Sequence, residues 1–143
     1  MCFFRGFVGQ HPQVGHGTSV LMRFLYWLRR LLGLLPPARW EDGKISTDPR
    51  YAAWYNATVA WVRVVNPEAI QQPDFRVTVR IYDRWPKGYE YNWGKVLPPN
   101  QIEGDTGGTL CLAKSKRNDT AVIVEECQHA ITGIGDHPQW LFP

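Results

Sequence analysis

The stretch from Asn118 to Trp140 constrains the fold of this chain most, because it combines a clearly bounded helix with residue types that bind metals. Asp119 can accept hydrogen bonds from the free backbone N–H groups of a helix that begins at Thr120. Gly133 can adopt the left-handed conformation that closes a helix. The sequence therefore predicts a helix of about three and a half turns between these two signals.

The predicted helix carries three side chains that can act together on a metal ion. Residues four apart project from the same face of a helix, so Glu125 and His129 can bind one ion between them. Glu126 lies one step round the helix, where its carboxylate can reach a metal-bound water. After the turn that ends the helix, Asp136 and His137 return along the chain and can supply another ligand.

Both histidines also have simpler interpretations. His129 would then be a hydrogen-bonded helix histidine, and His137 a turn histidine before a proline. The adjacent carboxylates of Glu125 and Glu126 repel each other unless a cation lies between them. Without a metal, we expect them to pair with a basic side chain. The candidates are Arg76, Arg80 and Lys114.

The motif E-E-x-x-H-A-x-x-G-x-x-D-H-P resembles the signature of the zincin metalloproteases, which is H-E-x-x-H on a helix. The local pattern is closest to SprT-like and related short zincins, which continue with Ala, Gly and a third ligand in a turn before an aromatic residue. Glu125 stands where that family has its first histidine. The residues that match the family pattern are Glu126, His129, Ala130, Gly133, Asp136, His137, Pro138 and Trp140.

This resemblance implies a metal site and a reaction. Glu125, His129 and His137 would be the metal ligands, and Glu126 would be the catalytic general base in the hydrolysis of a peptide substrate. Zinc is the expected metal, although two imidazoles and one carboxylate also suit iron(II) or manganese. The carboxylate at the first position leaves two alternatives: either Glu125 is a ligand, or the site has lost its metal.

Composition is typical of one globular domain and excludes a disordered chain. The 143 residues are 44% hydrophobic and 20% charged, and they include seven Trp, six Tyr and six Phe, which favours extensive packing or an interface. The net charge of +3 is small, and the sequence lacks a nucleic-acid motif, so nucleic acid is an unlikely partner.

The three cysteines form no disulfide framework, which favours a reducing compartment. Cys127 is expected to be a buried, inert thiol. The early apolar segment is interrupted by arginines and lacks a cleavage site, so we expect a protein that is not secreted. The expected location is the cytoplasm or a larger particle, with peripheral membrane association as a further option.

The N-terminal part of the chain is predicted to lie outside the main domain. Residues 1–18 read as an irregular, Gly-rich arm, and residues 19–36 as an amphipathic helix that contains Arg23, Arg29 and Arg30. Such a helix can lie on a membrane surface, dock in a protein partner's groove, or fold against its own domain. Residues 37–46 are predicted to be a linker.

Residues 47–143 are predicted to form a zincin-like α+β domain. Thr47 or Asp48 is expected to cap a helix that has Pro49 in its first turn and stops at Asn66-Pro67, and three strands are expected at 75–83, 89–97 and 109–113. The fold class is therefore α+β, with a small, mostly antiparallel three-stranded sheet between this helix and the C-terminal site helix. Small zincins share this order of elements.

Periodicity predicts which faces of these elements are buried. In the helix that begins at Pro49, Trp54, Ala57, Trp61 and Val65 recur at helical spacing and indicate an apolar stripe packed on the core. The first strand alternates, which indicates one buried and one open face. Arg76 and Arg80 are expected on the open face. In the second strand, Gly94 is consistent with a bulge.

Two functions follow from these observations. The first is a divergent, zincin-like metalloprotease-like protein, either active or a pseudoenzyme that has lost catalysis. The alternative is a non-enzymatic structural or accessory subunit of a larger assembly, held through the N-terminal arm and the amphipathic helix.

Overall fold

The computed structural model describes residues 20–33, 36–89 and 92–141, and it confirms the α+β class. The predicted arm at residues 1–18 lies outside the described residues. Within these residues the fold has three α-helices and one four-stranded sheet. In chain order they are α1 (Val20–Leu31), β1 (Lys44–Ile45), α2 (Pro49–Val65), β2 (Thr78–Tyr82), β3 (Gly94–Leu97), β4 (Thr109–Ala113) and α3 (Thr120–Thr132).

The sheet has the order β1-β2-β4-β3, with antiparallel outer pairs and a parallel central pair. It therefore has four strands where the sequence predicted three. The additional strand, β1, lies within the predicted linker and contains only two residues, which is too short for an alternating pattern to be recognised. The parallel pairing of β2 with β4 places β3 at the edge of the sheet, beside α3.

Both long helices begin and end at the predicted signals. The Asp48 carboxylate accepts a hydrogen bond from the backbone N–H of Arg50 at 3.0 Å, and α2 ends at Asn66. The Asp119 carboxylate accepts from the N–H of Val122 at 3.3 Å. Gly133 has φ +67°, and its N–H bonds to a carbonyl in the last turn of α3, so the closing turn is also confirmed.

One face of the sheet is covered by α2 and α3, which pack against each other. The buried side of α2 differs from the predicted stripe: Trp54 and Trp61 lie at the edge of the core, while Ala57 and Val65 are exposed. The helix is rotated because its tyrosines bury their rings and still find hydrogen-bond acceptors for their hydroxyls. Its buried residues are Tyr51, Tyr55, Thr58, Val59 and Val62.

The other face of the sheet is also buried, contrary to the prediction of an open face. The Arg80 side chain is only 12% exposed and pairs with Asp105, whose side chain is 3% exposed. The loop between β3 and β4 brings Asp105 over this face. The alternating pattern of a strand cannot predict such a contact with a distant part of the chain. A second apolar cluster surrounds the pair. It consists of Tyr82, Trp85, Leu97, Ile102, Cys111 and Ala113, with Trp40 packed against it.

Candidate metal centre

The C-terminal half of α3 and the turn after it bring three potential metal ligands together. Glu125 and His129 lie one turn apart on α3, and the chain turns at Gly133 so that His137 returns to the same place. His137 Nε2 is 3.0 Å from Glu125 Oε1 and 3.2 Å from His129 Nε2. One ligand atom from each residue lies within 4.8 Å of the other two, so this group can hold a metal ion.

These separations suit a tetrahedral metal site. Zinc lies about 2.0–2.1 Å from imidazole nitrogen and about 2.0–2.2 Å from carboxylate oxygen, which places neighbouring ligand atoms about 3.3 Å apart in a regular tetrahedron. The two separations around His137, 3.0 and 3.2 Å, are close to that value. Three protein ligands leave the fourth position of a tetrahedron for water or substrate, as in catalytic zinc sites.

The orientation of His129 is fixed by the turn that follows α3. Its Nδ1 lies 2.6 Å from the backbone carbonyl oxygen of Ile134, a distance at which Nδ1–H donates the hydrogen bond. The Ile134 N–H in turn donates to Thr132 Oγ1 at 3.2 Å. With the proton on Nδ1, the Nε2 lone pair faces His137, which is the tautomer that a metal ligand requires.

Glu126 lies beside the three ligands and is almost fully buried, with 7% of the residue exposed. Burial and the negative charge of Glu125 together raise the pKa of its carboxyl to about 7, while Lys95 opposes the shift. The carboxyl therefore exchanges a proton near neutral pH, which is the property expected of a general base.

Gly94 provides the space that Glu126 occupies. A Cβ atom at this position would lie 2.6 Å from Glu126 Cγ, which is too close for any side chain. Gly94 pairs in regular register with Leu112, so the bulge predicted here is absent, and the close approach of α3 explains the glycine. No sequence pattern assigns Gly94 or Lys95 to the site, because both lie on a strand that only the tertiary fold brings to α3.

A cavity of about 660 Å³ opens in front of the ligands, between α3 and the edge strand β3. All four predicted site residues line it: Glu125, Glu126, His129 and His137. Its other walls come from β3, from Trp93 and from the prolines that follow the strand. The volume is within the range of small-molecule and peptide-binding pockets.

The remaining candidate residues lie elsewhere or have other partners. Arg80 bonds to Asp105 on the opposite face of the sheet, and Arg76 lies 3.8 Å from Asp74, so neither of these arginines is paired with Glu125 or Glu126. Asp136 does not belong to the ligand group. Cys127 is buried as expected, and burial raises the pKa of its thiol to about 12, which makes it inert near neutral pH.

Comparisons with known proteins give this chain no family. No protein-family model matches it, and neither the curated proteins nor the solved structures contain a match. The function must therefore be argued from the site itself.

Proposed function

We propose that this protein is a metal-dependent peptide hydrolase of the zincin-like kind, in which Glu125, His129 and His137 bind zinc and Glu126 is the general base. The observation that carries the proposal is the convergence of three ligand atoms beside a buried carboxylate, at the wall of an open cavity. The motif on α3 and the order of the helices and strands support it as well.

The position of Glu125 supports its role as a ligand in place of the first histidine of the zincin motif. Its Oε1 points at His137 Nε2, the nitrogen that also faces His129. A site of two neutral imidazoles and one carboxylate is among the donor sets that catalytic zinc sites use. Iron(II) and manganese suit the same donors, and the metal content of the protein will distinguish them.

The chemistry divides between the metal and the chain. Zinc, when bound, would act as a Lewis acid: it would polarise the carbonyl of the substrate and lower the pKa of a water to about 7. Glu126 would accept a proton on a carboxylate oxygen from the water that attacks the carbonyl carbon, and it would return a proton to the leaving amine as the C–N bond breaks. A peptide substrate would lie in the cavity between α3 and β3, which positions it beside these residues.

The test is the metal content of the purified chain, measured by mass spectrometry after zinc loading and removal of excess metal. We expect about one metal ion per chain, and loss of that ion in His129→Ala. Asp136→Asn is the matched control, because it changes an exposed residue in the same turn that is outside the ligand group. A chain that retains no metal under these conditions would exclude the hydrolase.

Catalysis is tested separately on the metal-loaded protein. Glu126→Gln keeps the size of the side chain and removes its ability to accept a proton, so it should retain the metal and lose cleavage of a peptide library. Metal binding without Glu126-dependent cleavage would instead support the alternative, a non-catalytic accessory subunit with a structural metal site. The exposed apolar surface of α1 is the observation that favours this alternative.

A further inference from the structure

The side of helix α1 that carries Tyr26 faces the rest of the protein, and the apolar side of the helix faces solvent. Tyr26 is half-buried, and its pKa is raised by that burial and lowered by the nearby Arg84, which follows β2. Arg84 also donates a hydrogen bond to the backbone carbonyl of Pro36 at 3.4 Å. These contacts place the Tyr26 side of α1 toward the sheet domain. A surface helix normally has the opposite orientation, with its apolar stripe on the core.

The outward side of α1 is a continuous apolar surface. At 100° per residue, its large apolar side chains other than Met22 fall within an arc about 160° wide, on the side of the helix away from Tyr26. The structure describes all of α1, and no residue of this helix is buried. The exposed members of the apolar arc are Val20 (81%), Leu21 (62%), Phe24 (50%), Leu25 (38%), Trp27 (52%) and Leu31 (62%).

The charges around this arc are all of one sign. Arg23 and Arg30 lie along one border of the arc, and Arg29 lies along the other. Residues 1–40 contain five arginines and no acidic residue, whereas residues 41–143 contain eleven basic and thirteen acidic residues. The net positive charge of the chain is therefore concentrated in the N-terminal part of the sequence, which contains α1.

We propose that α1 binds in the plane of a membrane surface that contains anionic lipids, and that it holds the sheet domain at that surface. An apolar arc bordered by arginines is the pattern of an interfacial helix, whose arginines extend to the headgroups while the apolar side chains enter the acyl region. The twelve residues of α1 rise about 18 Å, against a hydrocarbon thickness of about 30 Å, so an orientation in the membrane plane matches its length. No helix within the described residues is long and apolar enough to cross a membrane.

Charge argues against a second copy of this chain as the occupant. Two α1 helices packed through their apolar arcs would bring six arginines together, and neither helix has a carboxylate to oppose them. An anionic lipid surface carries the opposite charge, and each arginine near such a surface strengthens binding about fivefold.

The experiment is flotation of the whole chain with two kinds of vesicle, one of phosphatidylcholine alone and one with about a third phosphatidylserine. We expect binding to the anionic vesicles that is on the order of a hundredfold tighter than to the neutral ones. Replacing Arg23, Arg29 and Arg30 with glutamine should remove most of that difference. His129→Ala should bind vesicles like the wild type, so this result is independent of the metal site.

Trp27→Glu and Trp93→Glu form a matched pair for the apolar arc. The two tryptophans are 52% and 59% exposed, and both substitutions change the net charge by the same amount. Trp27→Glu should weaken vesicle binding at least tenfold, and Trp93→Glu should leave it nearly unchanged. An equal loss in both variants, or equal affinity of the wild type for both vesicles, would overturn the proposal. So would a lack of vesicle binding together with a dimer that Trp27→Glu dissociates, since the arc would then belong to a second copy.

Discussion

Two of the carboxylates that lie close to a nitrogen of a basic side chain have very different surroundings. Asp105 is 2.7 Å from Arg80 Nε, and Glu125 is 3.0 Å from His137 Nε2. The side chains of the first pair are 3% and 12% exposed, while those of the second are 46% and 56% exposed. One pair lies inside the fold, and the other faces the cavity.

Asp105 and Arg80, the buried pair, form hydrogen bonds with each other and with neighbouring residues. Both carboxylate oxygens of Asp105 accept from the Arg80 guanidinium, and Oδ2 also accepts from the hydroxyl of Thr109 at 2.7 Å. Arg80 Nη1 donates to the Gly43 carbonyl at 2.9 Å. This arrangement joins the residue before β1, β2 and the loop before β4.

The exposed group has the opposite property, because its ligand atoms point at one another and at the cavity. His137 Nε2 faces both Glu125 and His129, and two imidazole nitrogens 3.2 Å apart need a proton or a metal ion between them. Such a group stabilises the fold little in the absence of an ion. The comparison thus separates a carboxylate that holds the sheet together from one that can bind a metal.

The largest expected effect is on stability, from the loss of the buried pair. Asp105→Ala leaves the Arg80 guanidinium buried without its partner, and should lower the free energy of unfolding by about 3–5 kcal/mol. Urea denaturation followed by circular dichroism measures this change. Asp136→Ala, which removes an exposed carboxylate, should change the free energy of unfolding by less than about 0.5 kcal/mol. A similar small cost for Asp105→Ala would remove the distinction between the two carboxylates.

Zinc should stabilise the protein through the exposed group. At a free zinc concentration about 100 times the Kd, a ligand that binds only the folded state adds about 2.7 kcal/mol, which corresponds to a rise in Tm of roughly 5–10 °C. His137→Ala and Glu125→Gln should abolish this rise without lowering the Tm of the metal-free protein appreciably. Calorimetry with and without a chelator measures both quantities, and an unchanged rise in His137→Ala would contradict the ligand assignment.

The next effect concerns the space beside Glu126. Gly94→Ala places a Cβ 2.6 Å from Glu126 Cγ, so either the carboxylate or β3 must move. We expect a loss of about 1–3 kcal/mol in the free energy of unfolding, as for other overpacked sites. Gly135→Ala is the matched control, since a Cβ there meets nothing within 4 Å and the residue has no positive φ. Equal effects of the two substitutions would show that α3 does not pack on Gly94 as described.

The helices could be predicted from the sequence because their ends depend on local interactions. Asp48, Asp119 and Gly133 act within a few residues of their own position, and each has the predicted role. The pairing of Glu125 with His129 on one helix face is local in the same sense, since it depends only on spacing.

The remaining features depend on contacts between distant parts of the chain. The parallel pairing of β2 with β4 brings Val79 beside Leu110, and Asp105 reaches Arg80 from 25 residues away. Neither contact leaves a periodic signal in the sequence. A glycine within a strand, such as Gly94, is a local signal that predicts a bulge. The structure instead explains this glycine by the close packing of α3.

The smallest expected effect is the pH dependence that the buried pair adds to stability. Hydrogen bonds from Arg80 and Thr109 hold the pKa of Asp105 below its ordinary value, despite the opposing effect of burial. The folded state therefore binds this proton less readily than the unfolded state, whose aspartate pKa is about 3.9. The stabilising contribution is fully present above that pH, and it is lost as the pH falls through the lower pKa of the folded state.

The measurement is the free energy of unfolding of the metal-free protein between about pH 2 and pH 5. Asp105 should contribute a slope of at most about 1.4 kcal/mol per pH unit below pH 4. In Asp105→Asn, the slope of the free energy of unfolding against pH should be shallower by up to this amount. In Asp136→Asn, which removes an exposed carboxylate, the slope should stay as in the wild type. If Asp136→Asn reduced the slope as much as Asp105→Asn, the acid sensitivity would come from surface charge in general, and the buried pair would no longer be distinguished from the exposed group by its titration.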